Sequence, residues 1–275
     1  SRGEFARRFI LFLLHSRFLF DQFIIKREYA GDDQEGVWSL KELCTSGAGY
    51  KKKAYYANTR LRYENEWEKT YAPRNKECLM IQSALRVSYT SPKVMHWITR
   101  LLEWLFDEET VLPKLTDEAE RIAAEAVQEG FLDEGDHELG VQTPHIVFNY
   151  LDYLLWKEGK EKYKDFVFEF RNSVEHWYPQ HPSEGTFEVW DGIDTFGNLC
   201  IISRSVNSKF SNLSPESKMK SYKKMVQKGS LKLRIMGDII EGSSSEKWRQ
   251  SACVKHEKEM IRLLCRALQE AVEEE

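Results

Sequence analysis

The residues best suited to chemistry lie in a short stretch past the middle of the chain. An acidic residue stands beside a histidine at Glu175-His176, and Pro179 follows three residues later. Asn198 and Asn207 come next, nine residues apart. A histidine in such a setting is more often structural than catalytic. The two asparagines favour chemistry, because an acid-histidine pair, a loop and two asparagines suit a strand-loop-strand-helix metal site.

These residue types suit the hydrolysis of a phosphodiester bond. A neutral imidazole, with an ordinary pKa of about 6.5, can take a proton from water near neutral pH. Carboxylate and amide oxygens are ligands that Mg²⁺ accepts, and the cation would stabilise charge on the phosphate as a Lewis acid. Side chains alternate along a strand, so Glu175 and His176 should point to opposite sides of it. One can face a metal and the other a water if the following loop twists the backbone.

The elements that must position these residues are predicted from hydrophobic pattern and capping residues. An extended segment at Phe166–Phe170 should continue towards Val174, and a second strand should cover Leu199–Ile202. The loop between them is rich in Pro, Ser and Gly. A short helix or turn at Asn207–Asn212, a Lys-rich helix from Ser214-Pro215 to about Lys228 and a closing helix from Glu246 to about Val272 should follow.

The first two thirds of the chain have the pattern of helices. The predicted helices are Arg7–Lys26, Ala54–Tyr71, Asn75–Ser88, one opened by Pro92, one between an N-cap at Thr116 and a stop at Gly130, and one from the N-cap Thr143 to Gly159. The apolar run Phe9–Ile25 is interrupted by polar residues, which is unlike a membrane span of about 20 apolar residues. We interpret it as a buried helix.

The motif around Glu175 also resembles a known family. Val174-Glu175-His176 with Pro179-Gln180, then Gly197-Asn198-Leu199, then Asn207, resembles the C-terminal HNH (His-Me finger) nuclease domain of GmrSD-like and SspE-like modification-dependent restriction enzymes. The specific part of the resemblance covers residues 166–222. Two features depart from the family pattern: Trp177 replaces an aliphatic residue, and the loop between His176 and Asn198 is long.

The resemblance implies a role for each matching residue. His176 would be the general base, and Glu175 and Asn207 would hold a divalent metal, Mg²⁺ with Mn²⁺ as the alternative. Asn198, counted with His176 in the catalytic set, would brace the loop that positions the histidine. Lys218 and Tyr222 match the family's lysine and tyrosine as phosphate contacts. The full set of expected DNA-binding residues is Arg204, Lys209, Lys218, Lys220, Tyr222, Lys223 and Lys224.

Fold class and domain organisation follow from the same resemblance. We expect a mainly α protein of the α+β class with a small ββα-metal (HNH) finger. Residues 1–165 should form a helical region packed against the nuclease core, 166–234 the core with its basic helix, and 235–275 a helix completing the domain. The Asp-Gly-Gln-Gln-Arg motif of the family's N-terminal sensor is absent and no Met opens the chain. We therefore expect a fragment whose parent carries that sensor domain as a partner.

The charge distribution favours DNA as the other partner. The net charge is only -4, with 40 basic and 44 acidic residues. Residues 103–138 hold thirteen acidic residues and two basic ones, whereas residues 198–234 hold nine basic residues and one acidic one. A basic stretch is expected where phosphates are bound. A solvated helix face is the simpler explanation for a lone lysine-rich stretch.

Other classes have little support. The phosphate loop GxxxxGK[ST], the GxSxG nucleophile motif and the HExxH zinc motif are all absent. Five widely spaced cysteines without a CxxC pair argue against a disulfide framework, and with the lack of a membrane span they favour the cytoplasm. The sequence therefore predicts a metal-dependent DNA endonuclease of a phage-defence restriction system. Two alternatives stay open: a non-catalytic DNA-binding module, and a helical interaction module with a relic HNH motif.

Overall fold

The computed structural model describes residues 2–29, 36–58, 72–107, 114–133, 138–182, 190–243 and 247–273. It is mostly helical with small antiparallel sheets, as expected for the α+β class. The chain forms two compact units, 1–120 and 121–275, and the division falls inside the helix Leu115–Val127. The domain boundaries expected after residues 165 and 234 stay a prediction.

The first unit contains helices and two small antiparallel hairpins. Its elements are α1 (Arg2–Phe23), β1 (Lys26–Glu28), β2 (Val37–Ser39), β3 (Lys41–Ser46), β4 (Lys53–Asn58), α2 (Ala72–Ser88), α3 (His96–Asp107) and the start of α4 (Leu115–Val127). Strand β1 pairs with β2, and β3 pairs with β4 from Lys41↔Asn58 to Ser46↔Lys53. No helix among the described residues is long and apolar enough to cross a membrane.

Two predictions for this unit are wrong. Residues 54–58 of the expected helix Ala54–Tyr71 are in strand β4, because pairing with β3 overrides their helical pattern; residues 59–71 lie outside the described part. The helix predicted to be buried over Phe9–Ile25 extends only to Phe23 and is largely exposed, whereas Ile24 and Ile25 beyond its end are buried. Of the residues in α1 only Leu19 and Phe23 are buried, and apolar residues such as Phe9, Leu11 and Leu14 are at least half exposed.

The second unit is built around one short hairpin enclosed by helices. After α4 and a π-helical turn Gln128–Leu132 come α5 (His145–Glu158), β5 (Ser173–His176), β6 (Leu199–Ile202), α6 (Arg204–Phe210), α7 (Pro215–Gln227), α8 (Leu231–Gly242) and α9 (Gln250–Glu273). The strands β5 and β6 are antiparallel, with Ser173↔Ile202 and His176↔Leu199 at the two ends of the register.

Local sequence explains several helix starts in this unit. The Ser203 side chain accepts a hydrogen bond from the Val206 N–H at the start of α6, and Ser214 accepts one from Ser217 at the start of α7. Pro215 is the first residue of α7, where a missing N–H costs nothing. The cap at Ser214 agrees with the predicted start of α7, whereas α6 begins at Arg204, three residues before the predicted Asn207–Asn212.

Other predicted boundaries in this unit need correction. Thr143 does not cap helix α5: Pro144 occupies the N-cap position without a side-chain hydrogen bond, and the Thr143 hydroxyl donates to the Gly140 carbonyl. Gly130 does not stop α4, since it lies inside the π-helical turn that continues the helix. Residues 166–172 form no strand, and pairing begins only at Ser173, where β6 supplies a partner. Helix α8 has no counterpart among the predicted elements.

The core of this unit lies on both faces of the hairpin. On one face Cys200 and Ile202 pack with buried residues of α6 to α9, including Phe210, Met236 and Cys253. Elsewhere in the unit Phe131, Phe148 and Phe196 form an aromatic cluster, with ring centroids 5.0 and 5.2 Å apart. All four residues of β6 are buried. The hairpin is therefore a rigid support for side chains at its ends.

Candidate active site

Strand β5 divides the candidate residues between two faces. Ser173 and Glu175 stand opposite Ile202 and Cys200, on the face covered by α6 to α8. His176 is the last residue of the strand and points the other way, as the alternation of side chains requires. The prediction that the side chains of Glu175 and His176 point to opposite sides of the strand agrees with their contacts. Glu175 bonds to Lys218, and His176 bonds to Asp194.

The His176 ring bonds to a carboxylate that the sequence did not single out. Its Nε2 atom lies 2.6 Å from Oδ1 of Asp194, and the same oxygen accepts a hydrogen bond of 2.9 Å from the Gln180 amide. When the carboxylate is ionised and the ring is neutral, Nε2 donates this hydrogen bond and Nδ1 has the free lone pair. The His176 side chain is 9% exposed and that of Asp194 is 46% exposed. Asp194 thus orients the imidazole through Nε2.

Gly140 lies beside the Asp194 side chain, which bonds to His176. It has a φ of +53°, and a Cβ there would lie 3.4 Å from the Asp194 side chain. The 3-10 turn Gly140–Gln142 also contacts β5. A larger residue at this position would be strained by the positive φ, although its Cβ would meet the carboxylate only at ordinary contact distance.

The Glu175 carboxylate is paired with a buried lysine. The Lys218 ammonium, on α7, is 0% exposed and donates to Glu175 Oε1 at 2.9 Å. It also donates to the carbonyls of His176 and Trp177, at 2.7 and 3.0 Å. Burial lowers the pKa of Lys218, and the nearby Glu175 opposes that shift. Lys218 therefore fastens the end of β5 to α7.

Asn198 lies at the opposite end of the loop and is fully buried. Its Oδ1 accepts from the Tyr178 N–H at 2.8 Å, and its Nδ2 donates to the carbonyls of Tyr178 and Ile193 at 2.9 and 3.0 Å. The Asn198 carbonyl accepts from the Trp177 N–H at 2.8 Å. This is the geometry of a brace between the two ends of the loop; its contribution to catalysis stays a prediction.

Asn207, on α6, reaches back to the Glu175 face of β5. Its Nδ2 donates to the Ser173 hydroxyl at 2.6 Å. Ser173 and Glu175 are two residues apart on one strand and share a face. Because the amide nitrogen is used in this way, the carbonyl Oδ1 is the atom of Asn207 suited to a cation. Metal binding by Asn207 and by Glu175 stays a prediction.

The expected DNA-binding residues differ in their exposure. Lys218 differs from the others: it is enclosed by protein, and three internal acceptors occupy its ammonium. Its expected contact with DNA stays a prediction. Tyr222 is half-buried, with its ring 6.0 Å from that of Phe210. The exposed members are Arg204, Lys209, Lys220, Lys223 and Lys224. Lys223 pairs with Glu241 at 2.5 Å, and both side chains are about half exposed.

Sequence reasoning missed two residues of the site. Asp194 lies in the long loop without any periodic pattern, so only its position four residues before Asn198 connects it with the motif. Lys232 was counted only as part of the basic stretch. It stands between Leu231 and Leu233, but the partly exposed Arg234 also has two apolar neighbours, so the local sequence did not mark Lys232 as buried.

The Glu175 face offers a carboxylate and an amide carbonyl, donor types that a hard divalent cation accepts, and the Lys218 ammonium already bonds to one of the carboxylate oxygens. Within the described ranges, no three His, Cys, Asp or Glu side chains come close enough to bind one metal ion. A carboxylate and an amide carbonyl nevertheless suit Mg²⁺, which usually takes one or two protein carboxylates and completes its shell with water and phosphate oxygens.

The architecture is that of an α+β domain with a buried hairpin, and one family model matches part of the chain. Residues 134–263 match the family model described as the C-terminal domain of GmrSD restriction endonucleases. The chain thus carries a domain related to restriction endonucleases, and the resemblance seen in the sequence is confirmed. Comparisons with curated proteins and with solved structures gave no match.

Proposed function

We propose that the second unit is an HNH-type endonuclease domain that hydrolyses DNA phosphodiester bonds with a divalent metal. One observation carries the proposal: the hydrogen bond between Asn207 and Ser173 brings the α6 amide to the strand that ends in Glu175-His176. The order β5, loop, β6, α6 corresponds to the elements of a ββα-metal finger. The family match over residues 134–263 supports a nuclease rather than another hydrolase.

In the proposed mechanism His176 is the general base. Asp194 holds the ring so that Nδ1 accepts a proton from the attacking water, and it stabilises the imidazolium that results. Glu175 and Asn207 would hold the Mg²⁺ or Mn²⁺ ion, which would supply charge stabilisation at the phosphate. Asn198 and Lys218 keep the two ends of the loop in place. Exposed basic residues of α6 and α7 would bind the DNA backbone.

The experiment is nicking of a supercoiled plasmid by the full chain with Mg²⁺, with Mn²⁺ and with EDTA. We expect cleavage with either metal and none with EDTA. His176→Ala should reduce the rate by about 10²- to 10⁴-fold, the usual cost of losing a general base. His181→Ala is the matched control, because His181 is exposed in the same loop and should tolerate the change. Near wild-type nicking by a folded His176→Ala protein would rule out this base.

Metal binding needs a separate measurement. Calorimetry with Mn²⁺ should show weaker binding for Asn207→Ala, which removes an oxygen ligand, and unchanged binding for Asn212→Ala, an exposed amide just beyond α6. Equal binding by both variants would show that Asn207 is not a ligand.

A second candidate is a DNA-binding module that does not cut. It is favoured by the bond between the Lys218 ammonium and one oxygen of Glu175, because that oxygen is then not available to a metal ion. Retained DNA binding without cleavage under any metal condition would support it. Neither binding nor cleavage would support the remaining alternative, a helical interaction module with a relic HNH motif. A phage-defence role and a sensor domain in a longer parent chain remain part of the proposal.

A further inference from the structure

A second buried lysine lies beneath the loop that carries Asn198. Lys232 is in the first turn of α8 and is 0% exposed. Its backbone N–H donates to Asp152 Oδ1 at 2.9 Å, which fixes the start of α8 to α5. Burial lowers the pKa of the Lys232 ammonium to about 8. A charged group so deeply buried is costly unless its hydrogen bonds are satisfied.

The acceptors of the Lys232 ammonium surround Asn198 in sequence. Nζ donates to the carbonyls of Phe196 and Leu199 at 2.8 and 2.6 Å, and it lies 3.5 Å from the Gly197 carbonyl. It also lies 4.7 Å from the centre of the Phe196 ring. The lysine therefore holds the turn on both sides of Asn198 without touching the Asn198 side chain.

The turn is closely packed on its other side. Gly197 lies so near α9 that a Cβ there would come within 2.6 Å of the Cys253 carbonyl and 2.7 Å of the Glu257 side chain. The turn 196–199 is thus held between α9 and the Lys232 ammonium. Small shifts of α8 would be passed to Asn198 rather than absorbed by free space.

Contacts lead from this turn to the histidine. Asn198 bonds to Tyr178 and to Ile193. Asp194, the partner of His176, directly follows Ile193 in the chain. Lys218 acts at the other end of the loop, where it bonds to the carbonyls of His176 and Trp177. Each end of the loop is thus fastened by one buried ammonium group.

We propose that Lys232 is a positioning residue of the active site: its ammonium fixes the turn 196–199, so that Asn198 and Asp194 hold His176 in its reactive orientation. The inference rests on the proposed nuclease function for its catalytic consequence. Its structural consequence, order in the loop, does not depend on cleavage. Lys232 contacts no reacting atom and acts only through Asn198 and the loop.

The test compares Lys232→Met with Leu233→Ala in the full chain. Methionine keeps much of the side-chain volume and loses the donors. Leu233 is fully buried on the same helix, so its loss destabilises the core without removing a bond to the turn. The first readout is amide hydrogen exchange. In Lys232→Met we expect at least about a 10-fold loss of protection at Trp177 and Tyr178, with the amides of α5 unchanged; Leu233→Ala should not show this selective loss.

The second readout is DNA cleavage well below the melting temperature of each variant. Lys232→Met should lower kcat by up to about 100-fold, as a misplaced catalytic group can, with KM changed by less than about 3-fold. Leu233→Ala should keep its kcat. An equal loss of kcat in both variants, or unchanged protection in folded Lys232→Met, would overturn the proposal.

The test also covers a Lys232→Met protein that does not fold and a wild-type protein that cleaves no DNA. If Lys232→Met does not fold, Lys232→Arg takes its place: it keeps the charge but changes the donor geometry, so it should fold with a lowered kcat and reduced protection at Tyr178. An unchanged kcat and unchanged protection would count against the proposal. If wild-type protein cleaves no DNA, the proposed function fails, while the exchange experiment still decides whether Lys232 orders the loop.

Discussion

The lysines of residues 198–234 fall into two groups with different surroundings. Lys218 and Lys232 are fully buried, and each donates to backbone carbonyls of the loop that carries the candidate site. Lys220 and Lys224 are exposed on α7. The four have the same side chain and all lie on two consecutive helices. Burial makes the first pair part of the scaffold, whereas exposure leaves the second pair accessible to a polyanion.

This contrast also separates two kinds of basic residue at the candidate site. A buried ammonium is effective because its hydrogen bonds are made in a medium of low dielectric constant. An exposed ammonium contributes through long-range attraction that salt screens. Substitution of a buried lysine should therefore change the stability of the protein and the geometry of the loop. Substitution of an exposed lysine should change the affinity for DNA and the salt dependence of that affinity.

The largest difference should appear in stability. Lys218→Met leaves Glu175 and two carbonyls without their donor, so we expect a loss of about 3–5 kcal/mol in the free energy of unfolding, as when one partner of a buried pair is removed. Lys220→Met, two residues away and exposed, should stay within about 0.5 kcal/mol of wild type. Urea denaturation measures both. Similar losses in the free energy of unfolding for Lys218→Met and Lys220→Met would contradict the distinction between buried and exposed lysines.

DNA affinity should show the opposite pattern. We expect Lys220→Gln with Lys224→Gln to weaken binding to all duplex sequences alike, because backbone contacts carry no base information. The slope of log K against log salt concentration should become shallower by about 0.9 for each phosphate that the variant no longer neutralises. Fluorescence anisotropy across a salt series measures both quantities. Weakening confined to particular sequences would contradict backbone binding by these lysines.

The smallest effect concerns a buried group outside the loop. His256, on α9, packs against Trp248 with ring centroids 5.9 Å apart, and burial lowers its pKa well below the usual value. Below about pH 6.5 the unfolded chain binds a proton that the native histidine does not bind, so stability should fall as the pH drops from 7 to 5. The slope from this one group is at most about 1.4 kcal/mol per pH unit.

His256→Leu should remove that contribution, because leucine keeps an apolar side chain in the site and does not titrate. Urea denaturation at pH 5 and pH 7 should therefore show a smaller difference for the variant than for wild type. His181→Leu, at an exposed position, is the control and should keep the wild-type difference. An equal pH dependence in His256→Leu and wild type would mean that His256 is protonated in the native protein.

Much of the second unit could be predicted from local sequence. Ser214-Pro215 marked the start of α7, the apolar tetrad Leu199–Ile202 marked β6, and Gly159 marked the end of α5, because caps and apolar patterns act within a few residues. Strand β4 was missed, since residues 54–58 are held by pairing with β3 rather than by their own preference. The exposed apolar surface of α1 was also missed, because hydrophobicity predicts burial only when another element covers it.

For the site, the sequence by itself determined which groups are available. The order Glu175-His176, Asn198, Asn207 indicated both the chemistry and the family, since each residue type has a fixed donor and acceptor chemistry. Only the tertiary structure decided how those groups are held. Asp194 reaches His176 across 18 residues, and Lys232 reaches the turn around Asn198 across more than 30. Such contacts depend on the packing of α7, α8 and α9 around one hairpin, and no local pattern in the chain encodes that packing.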